Sequence, residues 1–461
     1  MSRFLHNLIR SLRTSEKVYF KRSSKTHAIR ETKNYIELYD IYEGTTSYDM
    51  DSIKSKITTE TLVKYHSSEV NYLIEKILIS LFNLKLKRTS SQVQRGIIIA
   101  EMLASKGFRK EALKKIKSVK KKAIYLEEFT RILRLIELEE IVLFDEGIIG
   151  YKETLQRLHE EREIITKTIQ NLNQLHLLRQ EIREIQFSQK LQSDYHKTLN
   201  KFKNNPLIAS EESSLSNKGT EHLRYSQVVL SYLLRDFESS LSYAKQHYNF
   251  IKNQSHLFGS SKMIPSISNY LFQASLCVDK NEFENAEQIF VENSKKEKTN
   301  EFYIKYILHT RNLELAYYSN DLNLVNKHLT STIKLNNLYS EKLQEAQIQY
   351  LYMVIVRAYI QLKDYDKAMY HSNQWLRNGV LSYRKVQAHL FSMIIHYQLN
   401  LSNLLSSEVV ALRKLQNKFL RDKHLIQAVH KYISTYLKYP NKKNAFLIRL
   451  QKELQLSLIH I

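Results

Sequence analysis

The sequence predicts an all-α protein built from helical hairpins, and three observations support this fold class. The 461 residues include only 8 glycines and 3 prolines, where average usage would give about 32 and 23. Leu, Ile, Lys, Glu, Gln and Asn, which suit long helices joined by short polar turns, fill much of the remaining sequence. Apolar residues recur at helical spacing through most of the chain, and a loose repeat begins after residue 222.

The first region, 1–66, is basic and is predicted to be helical. The chain begins with an amphipathic stretch, "MSRFLHNLIRSLR", whose apolar face contains Phe4, Leu5, Leu8, Ile9 and Leu12. A transit peptide or a membrane-surface helix has a similar composition, but this stretch lacks the apolar centre of a signal peptide. We therefore interpret it as the first helix of the fold. In "RTSEKVYFKR", a second helix is predicted to begin near Thr14 or Ser15, with Glu16 at its positive end.

The second region, 67–203, is predicted to contain helical hairpins with long helices. The lysine-rich "KKIKSVKKKA" is followed by the acidic and apolar "YLEEFTRILRLIELEEIVLFDE", and these opposite charges predict two packed helices with complementary surfaces. Residues 151–200 are predicted to form one or two long helices. Arg162, His176 and Arg179 interrupt the apolar stripe of this segment, which favours a hairpin folded onto the chain over a sustained coiled coil.

The segment 204–222 is predicted to be a linker between domains, because it combines a proline, a glycine and several serines without helical periodicity. Residues 223–461 then repeat an apolar or aromatic residue followed three positions later by a small or apolar one. The matching pairs are Phe237 and Ser240, Phe283 and Ala286, Leu322 and Val325, and Tyr365 and Ala368. The second members of these pairs are 46, 39 and 43 residues apart. The C-terminal part is predicted to form capping helices.

This pattern resembles the tetratricopeptide repeat, in which a helix, a turn, an aromatic residue and a small residue follow one another. The resemblance implies a tetratricopeptide-like α-solenoid, in which successive hairpins stack because neither helix can bury its face alone. Tyr359, Tyr365 and Ala368 are then packing residues. The spacing exceeds the 34 residues of the family, which predicts longer helices. The opening "LIRSLRTSEKVYFK" also resembles a group of uncharacterised bacterial helical-repeat proteins, and this likeness implies no activity.

The resemblance further implies that particular positions of each first helix face a binding groove. These positions are Tyr350, Met353, Arg357, Ile360 and Gln361 in one unit and Thr310, Glu314, Tyr317 and Tyr318 in the preceding unit. Arg357 and Gln361 are expected to hold the carboxylate or backbone of a peptide, and the tyrosines are expected to stack on its side chains. The alternative is that the same residues pack against the N-terminal half of the chain.

Motifs of the common enzyme classes are missing from the sequence. It contains no HExxH, GxxxxGK[ST], GxGxxG or GxSxG pattern. Its single cysteine, Cys277, lies between apolar residues and is predicted to be a buried structural thiol. No metal or cofactor is expected, and an enzyme would need a site assembled only in three dimensions. The leading hypothesis is therefore a non-catalytic scaffold or adaptor that binds a protein or peptide.

The net charge of +23 at pH 7 favours a second hypothesis, in which basic helical surfaces bind RNA or DNA electrostatically. The lysine run "KKIKSVKKK" and the basic N-terminal region are the candidate surfaces, although no known nucleic-acid-binding motif occurs. No apolar run approaches the ~20 residues that a membrane span needs. A cytoplasmic protein is therefore expected.

Overall fold

The computed structural model describes residues 2–26, 34–45, 48–86, 92–144, 151–187, 195–296, 299–339, 343–377, 379, 384–415, 427, 429, 431 and 433–434. In these residues the chain forms twenty-two α-helices and one short 3-10 helix, with no strand, which confirms the all-α class. It divides into two compact units, Met1–Ile165 and Thr166–Ile461. None of the described helices is long and apolar enough to cross a membrane. The predicted capping helices beyond residue 415 lie largely outside the described residues.

The helices of the first unit and the long helix that extends beyond it are α1 (Ser2–Ser11), α2 (Thr14–Thr26), α3 (Asn34–Glu43), α4 (Met50–Ser55), α5 (Glu60–Lys64), α6 (His66–Leu86), α7 (Gln92–Ser105), α8 (Arg109–Tyr125), α9 (Phe129–Phe144) and α10 (Tyr151–Phe187). The apolar face of α1 is buried through Leu5 and Ile9, whereas Phe4 is 52% exposed and does not belong to the core. Helix α2 begins as predicted, and the Glu16 carboxylate accepts the backbone N–H of Arg13 at 2.8 Å.

Helices α7, α8 and α9 pack in sequence around one apolar cluster. Gly96 allows α7 to approach α8 closely, because a Cβ atom at this position would lie 2.3 Å from Cγ2 of Val119. The Lys120 side chain of α8 is buried and donates to Glu139 of α9 at 2.6 Å and to Glu161 of α10 at 3.0 Å. These ion pairs confirm the complementary surfaces that the charge pattern predicts.

The remaining helices, all in the second unit, are α11 (Tyr195–Lys203), α12 (Pro206–Ala209), α13 (Asn217–Leu233), α14 (Phe237–Asn253), α15 (Ser255–Cys277), α16 (Lys280–Lys296), α17 (Glu301–Tyr318), α18 (Leu322–Tyr339), α19 (Glu345–Gln361), α20 (Tyr365–Arg377), α21 (Lys385–Gln398) and α22 (Ser402–Leu415). A 3-10 turn, Glu211–Ser213, follows α12, so the serine-rich segment 204–222 contains two short helical turns and the start of α13. Non-helical backbone at Gly259 interrupts α15.

One type of turn joins the two helices of every hairpin from α13 to α20. One or two residues past the end of the first helix, a residue adopts a left-handed conformation with φ between 56° and 64°, and an aspartate follows it. The aspartate N–H donates to the carbonyl five residues earlier, which satisfies the end of the first helix. Its carboxylate accepts backbone N–H groups at the start of the second helix. These aspartates are Asp236, Asp279, Asp321 and Asp364, and they recur every 42 or 43 residues.

The turns also correct the predicted register of the repeat. Helix α16 begins at Lys280, so Phe283 occupies the position of Ser240, Val325 and Ala368 in the other hairpins, and the predicted match to Ala286 is wrong. All four equivalent side chains are buried. The prediction failed because it matched side chains by size, whereas the backbone geometry of the turn determines where each second helix begins.

Within the second unit, each first helix from α13 to α21 packs against its own second helix, and from α15 onward successive first helices also pack against each other. Contacts between first helices join α15 to α17, α17 to α19 and α19 to α21. Tyr359 and Ala368 are buried in one apolar cluster with Trp375, as expected for packing residues. Leu322 differs from the aromatic residues at equivalent positions because it is 49% exposed.

Candidate binding site

Hydrogen bonds and ring contacts connect three arginines, three tyrosines and one glutamate where α17, α19 and the residue before α21 meet. We call this group the arginine–tyrosine cluster; its members are Arg311, Glu314, Tyr317, Tyr318, Tyr350, Arg357 and Arg384. The first four lie in the C-terminal half of α17, Tyr350 and Arg357 lie on α19, and Arg384 immediately precedes α21. The cluster thus lies where three successive first helices pack.

Glu314 is the anionic centre of the cluster and is only 2% exposed. Its Oε2 atom accepts from Nη1 of Arg311 at 2.5 Å, and its Oε1 atom accepts from the Tyr350 hydroxyl. Nη1 of Arg311 also lies 2.7 Å from the Tyr350 oxygen. One carboxylate, one guanidinium and one phenol therefore form a connected hydrogen-bond network between α17 and α19.

Aromatic rings support all three guanidinium groups. Arg311 lies 4.4 Å from the ring centroid of Phe272, a residue of α15. The guanidinium of Arg357 lies 4.1 Å from the Tyr317 ring and 5.1 Å from the Tyr318 ring. Arg384 lies 5.2 Å from the Tyr350 ring. Stacking of this kind holds a guanidinium plane in place and leaves its edge available for hydrogen bonds.

Arg311 and Arg357 keep their charge, and Tyr318 and Tyr350 stay neutral. Burial raises the pKa of Tyr350 well above its ordinary value and also raises the pKa of Tyr318, so both phenols keep their protons. Burial alone lowers the pKa of Arg357, but Tyr318, Tyr317 and Glu314 raise it above its ordinary value. Two guanidinium charges, those of Arg311 and Arg357, consequently act on the Glu314 carboxylate.

The Arg357 side chain carries the least satisfied polar group of the cluster. It is 7% exposed, and its Nη1 atom lies 3.4 Å from the Tyr318 hydroxyl. Its Nε and Nη2 atoms are buried and have no hydrogen-bond acceptor among the described residues. These two atoms form one edge of the guanidinium, which is the geometry that binds both oxygens of a carboxylate. The arrangement therefore offers a buried, pre-oriented site for an anion.

The structure brings together most of the residues predicted to face a groove. Tyr317, Tyr318, Tyr350, Arg357 and Glu314 all belong to the arginine–tyrosine cluster. Met353 lies beside it, where its sulfur atom accepts from Nη1 of Arg384 at 2.8 Å.

Three other predicted groove residues have structural partners of their own. Nε2 of Gln361 donates to the backbone carbonyl of Tyr317 at 3.0 Å and to Oδ1 of Asn320 at 2.9 Å, so this side chain ties α19 to the turn after α17. The Thr310 hydroxyl donates to backbone carbonyls of its own helix. Ile360 packs against the apolar cluster that contains Trp375. Among the described residues, none of these three side chains forms a hydrogen bond with a side chain of the arginine–tyrosine cluster.

The sequence did not lead us to predict that Arg311 and Arg384 belong to this site or that Phe272 contacts Arg311. Arg311 precedes Glu314 by three residues, a spacing that predicts an ion pair on one helix, and this signal was available in the sequence. Arg384 precedes α21, and Phe272 lies on α15. No local pattern connects either of them to α17 or α19, because only the packing of the helices brings them together.

A second buried polar group surrounds Glu221 of α13 and has a structural role. Its carboxylate accepts from Nη1 of Arg179 at 2.9 Å and from Nζ of Lys262 at 3.0 Å, and His222 lies 3.1 Å away. Burial raises the pKa of Glu221, but His222, His247 and the two cations lower it well below its usual range. Because several donors surround this carboxylate, it ties α10, α13 and α15 together and leaves little capacity for a ligand.

Cys277 is half-buried, and its thiol donates to the backbone carbonyl of Phe237 at 3.2 Å. Burial raises the pKa of this thiol to about 11, so it is a poor nucleophile at neutral pH. Among the described residues, no group of three or more His, Cys, Asp or Glu side chains is placed to hold a metal ion.

Comparison of the chain with protein-family models, curated proteins and solved structures yields no match.

Proposed function

We propose that helices α13 to α22 form a tetratricopeptide-like α-solenoid, and that the chain is a non-catalytic scaffold that binds a protein or peptide on its first helices. Two features support this fold. The turns from α13 to α20 recur every 42 or 43 residues with the same hydrogen bonds, and successive first helices pack against one another. Repeats of this kind present a continuous face of first helices, which is the surface such proteins use for binding.

The single observation that carries the proposal is the unsatisfied edge of Arg357. A buried guanidinium with two unpaired donors is costly, and the Glu314 carboxylate is already bonded to Arg311 and Tyr350. A carboxylate from a peptide, either a C-terminus or an Asp or Glu side chain, offsets the charge of Arg357 and accepts from both Nε and Nη2. The rings of Tyr317 and Tyr318 hold the guanidinium in position, which lowers the entropy lost on binding.

Gln361 has a different role in this proposal from the one that its sequence position suggests. Its Nε2 atom already donates to Tyr317 and Asn320. Replacing it removes a tie between α19 and the preceding turn, and this loosens the site without removing a ligand contact. Arg357 is therefore the residue that distinguishes peptide binding from structural support.

The test is selection of random peptides with free C-terminal carboxylates on the immobilised full-length protein, followed by titration of the selected peptides. Arg357→Gln is compared with Arg413→Gln, which removes an equal charge from an exposed position of α22. Loss of a charge-assisted bidentate pair worth ~1.5–3 kcal/mol predicts affinity weakened about 10- to 100-fold. Fluorescence of the single tryptophan, Trp375, confirms that each variant is folded.

Arg413→Gln is expected to bind like the wild type. Selected peptides that bind Arg357→Gln and the wild type with equal affinity would contradict the proposal, as would a selection that recovers no peptide. Esterifying or amidating the carboxylates of a selected peptide provides an independent check, because it removes the negative charge and leaves the protein unchanged. The proposal requires that this modification weaken binding to the wild type and have little effect on binding to Arg357→Gln.

A further inference from the structure

Helix α8 in the first unit carries an exposed row of lysines. The helix contains eight Lys or Arg residues and one acid, Glu111. Lys110, Lys114, Lys117 and Lys121 are all exposed, and their spacing of four, three and four residues places them along one face. At 1.5 Å per residue the row extends over about 16 Å. We call these four residues the lysine row.

The lysine row of α8 differs from its neighbour Lys120 in its exposure and in its pairing. Lys120 projects inward and is buried in its ion pairs with Glu139 and Glu161. No lysine of the row pairs with a carboxylate of the described residues, and Glu111 lies about a quarter of a turn away around the helix. Like charges at this spacing destabilise a helix by a few tenths of a kcal/mol per pair. No ion pair with a described carboxylate offsets this loss of stability in the row.

We propose that the lysine row is a docking surface for the phosphate backbone of a nucleic acid. An elongated line of lysines matches a line of phosphates, and each contact releases condensed counterions. At the C-terminal end of the row, the Tyr125 ring is exposed and nearly in line with it, as in single-strand binding surfaces where an aromatic ring stacks on a base. The surface is independent of the peptide site proposed above.

An anionic membrane surface is a weaker match for the same row. A helix that lies on a membrane inserts its apolar face below the headgroups. The apolar face of α8 contains Ala112, Ile116, Val119 and Ala123, and all four belong to the cluster that packs α7, α8 and α9 together. Because that face is unavailable for insertion, the row can offer a membrane only charge.

The salt dependence of binding gives a quantitative expectation. If all four lysines contact phosphates, the row contributes about −2.8 to the slope of log K against log salt for a single strand and about −3.6 for duplex DNA. Between 50 and 200 mM salt, this slope weakens affinity about 50-fold for a single strand and about 150-fold for a duplex.

The experiment is fluorescence anisotropy of the full-length protein with labelled mixed-sequence 20-mers, single-stranded and duplex, across this salt range. The variant is K110Q/K114Q/K117Q/K121Q. The matched control, K252Q/K280Q/K295Q/K296Q, removes the same charge from exposed lysines of the second unit. We expect the row variant to have a slope shallower by about 3 and the control to keep most of the wild-type slope and affinity.

Three results would overturn the proposal. The first is a wild type that does not bind either oligonucleotide at 50 mM salt. The second is equal loss of affinity in the row variant and the control, which would indicate that net charge alone drives binding. The third is row-dependent binding confined to phosphatidylserine-containing vesicles or to polyglutamate, which would assign the row to a membrane or to an acidic protein. Far-ultraviolet circular dichroism verifies that both quadruple variants are folded.

Discussion

Replacing Glu314 by glutamine removes the only negative charge of the arginine–tyrosine cluster and changes its shape very little. The carboxylate is 2% exposed and lies 2.5 Å from Nη1 of Arg311. Glutamine keeps one carbonyl oxygen for the Tyr350 hydroxyl, but its amide group then faces a guanidinium donor. The variant therefore leaves the Arg311 guanidinium without the carboxylate to which it donates and removes the negative charge that acts on Arg357.

The expected destabilisation follows from the burial of this pair. Removing one partner of a buried ion pair typically costs about 3–5 kcal/mol, because the remaining charge is desolvated and unpaired. The nearby guanidinium group of Arg357 adds repulsion that Glu314 otherwise offsets. If the free energy of unfolding decreases by about 3 kcal/mol per molar urea, this destabilisation lowers the unfolding midpoint by roughly 1 to 1.7 M urea.

The assay is urea unfolding followed by tryptophan fluorescence. Trp375 is the only tryptophan, and its side chain is fully buried in the second unit, so its signal reports the unit that contains Glu314. Glu284→Gln, at an exposed position of α16, is the control and is expected to change stability by less than about 0.5 kcal/mol. Adding Arg311→Met to Glu314→Gln removes the orphaned charge and is expected to recover part of the loss. A midpoint for Glu314→Gln equal to that of the control would refute this account of the cluster.

Three further predictions concern backbone, packing and pH. Val278→Gly is expected to raise stability by about 1 kcal/mol, because a β-branched residue there has φ 56°; Asn320→Gly, at a residue that tolerates φ > 0, should gain less in the same urea titration. Gly96→Ala is expected to cost ~1–3 kcal/mol, because the new Cβ overlaps α8; an unchanged melting temperature would contradict the close approach of α7. Burial lowers the pKa of His247 below 6.5, so the unfolded chain takes up a proton first as the pH falls. The contribution of neutral His247 to the free energy of unfolding is therefore fully present above pH 6.5 and is lost as the pH falls below it, by up to about 1.4 kcal/mol per pH unit. His247→Gln should remove this contribution when urea titrations at pH 7 and 5.5 are compared.

The repeat in the second unit shows which features of the fold can be predicted from neighbouring residues in the sequence. The left-handed residue and the aspartate that follows it recur at Asp236, Asp279, Asp321 and Asp364, and this spacing is visible in the sequence. A match based on side-chain size instead paired Ser240 with Ala286 and missed the bulky Phe283 at the equivalent position. The turn was the better guide, because its hydrogen bonds involve neighbouring residues alone, whereas the size of a buried residue depends on the helix that faces it.

The all-α class, most of the hairpins in the second unit and the alternation of charge on α8 and α9 could be predicted from the sequence. These properties depend on residues three to five positions apart, whose interactions lie within one helix or one turn. The packing of the helices was needed to show that Gln361 is a structural tie and that Lys120 is buried while its neighbours form an exposed row. It was also needed to show that Arg384 belongs to the arginine–tyrosine cluster and that Phe272 supports Arg311. Burial of a charge depends on which distant helices pack around it, and no local pattern encodes that choice.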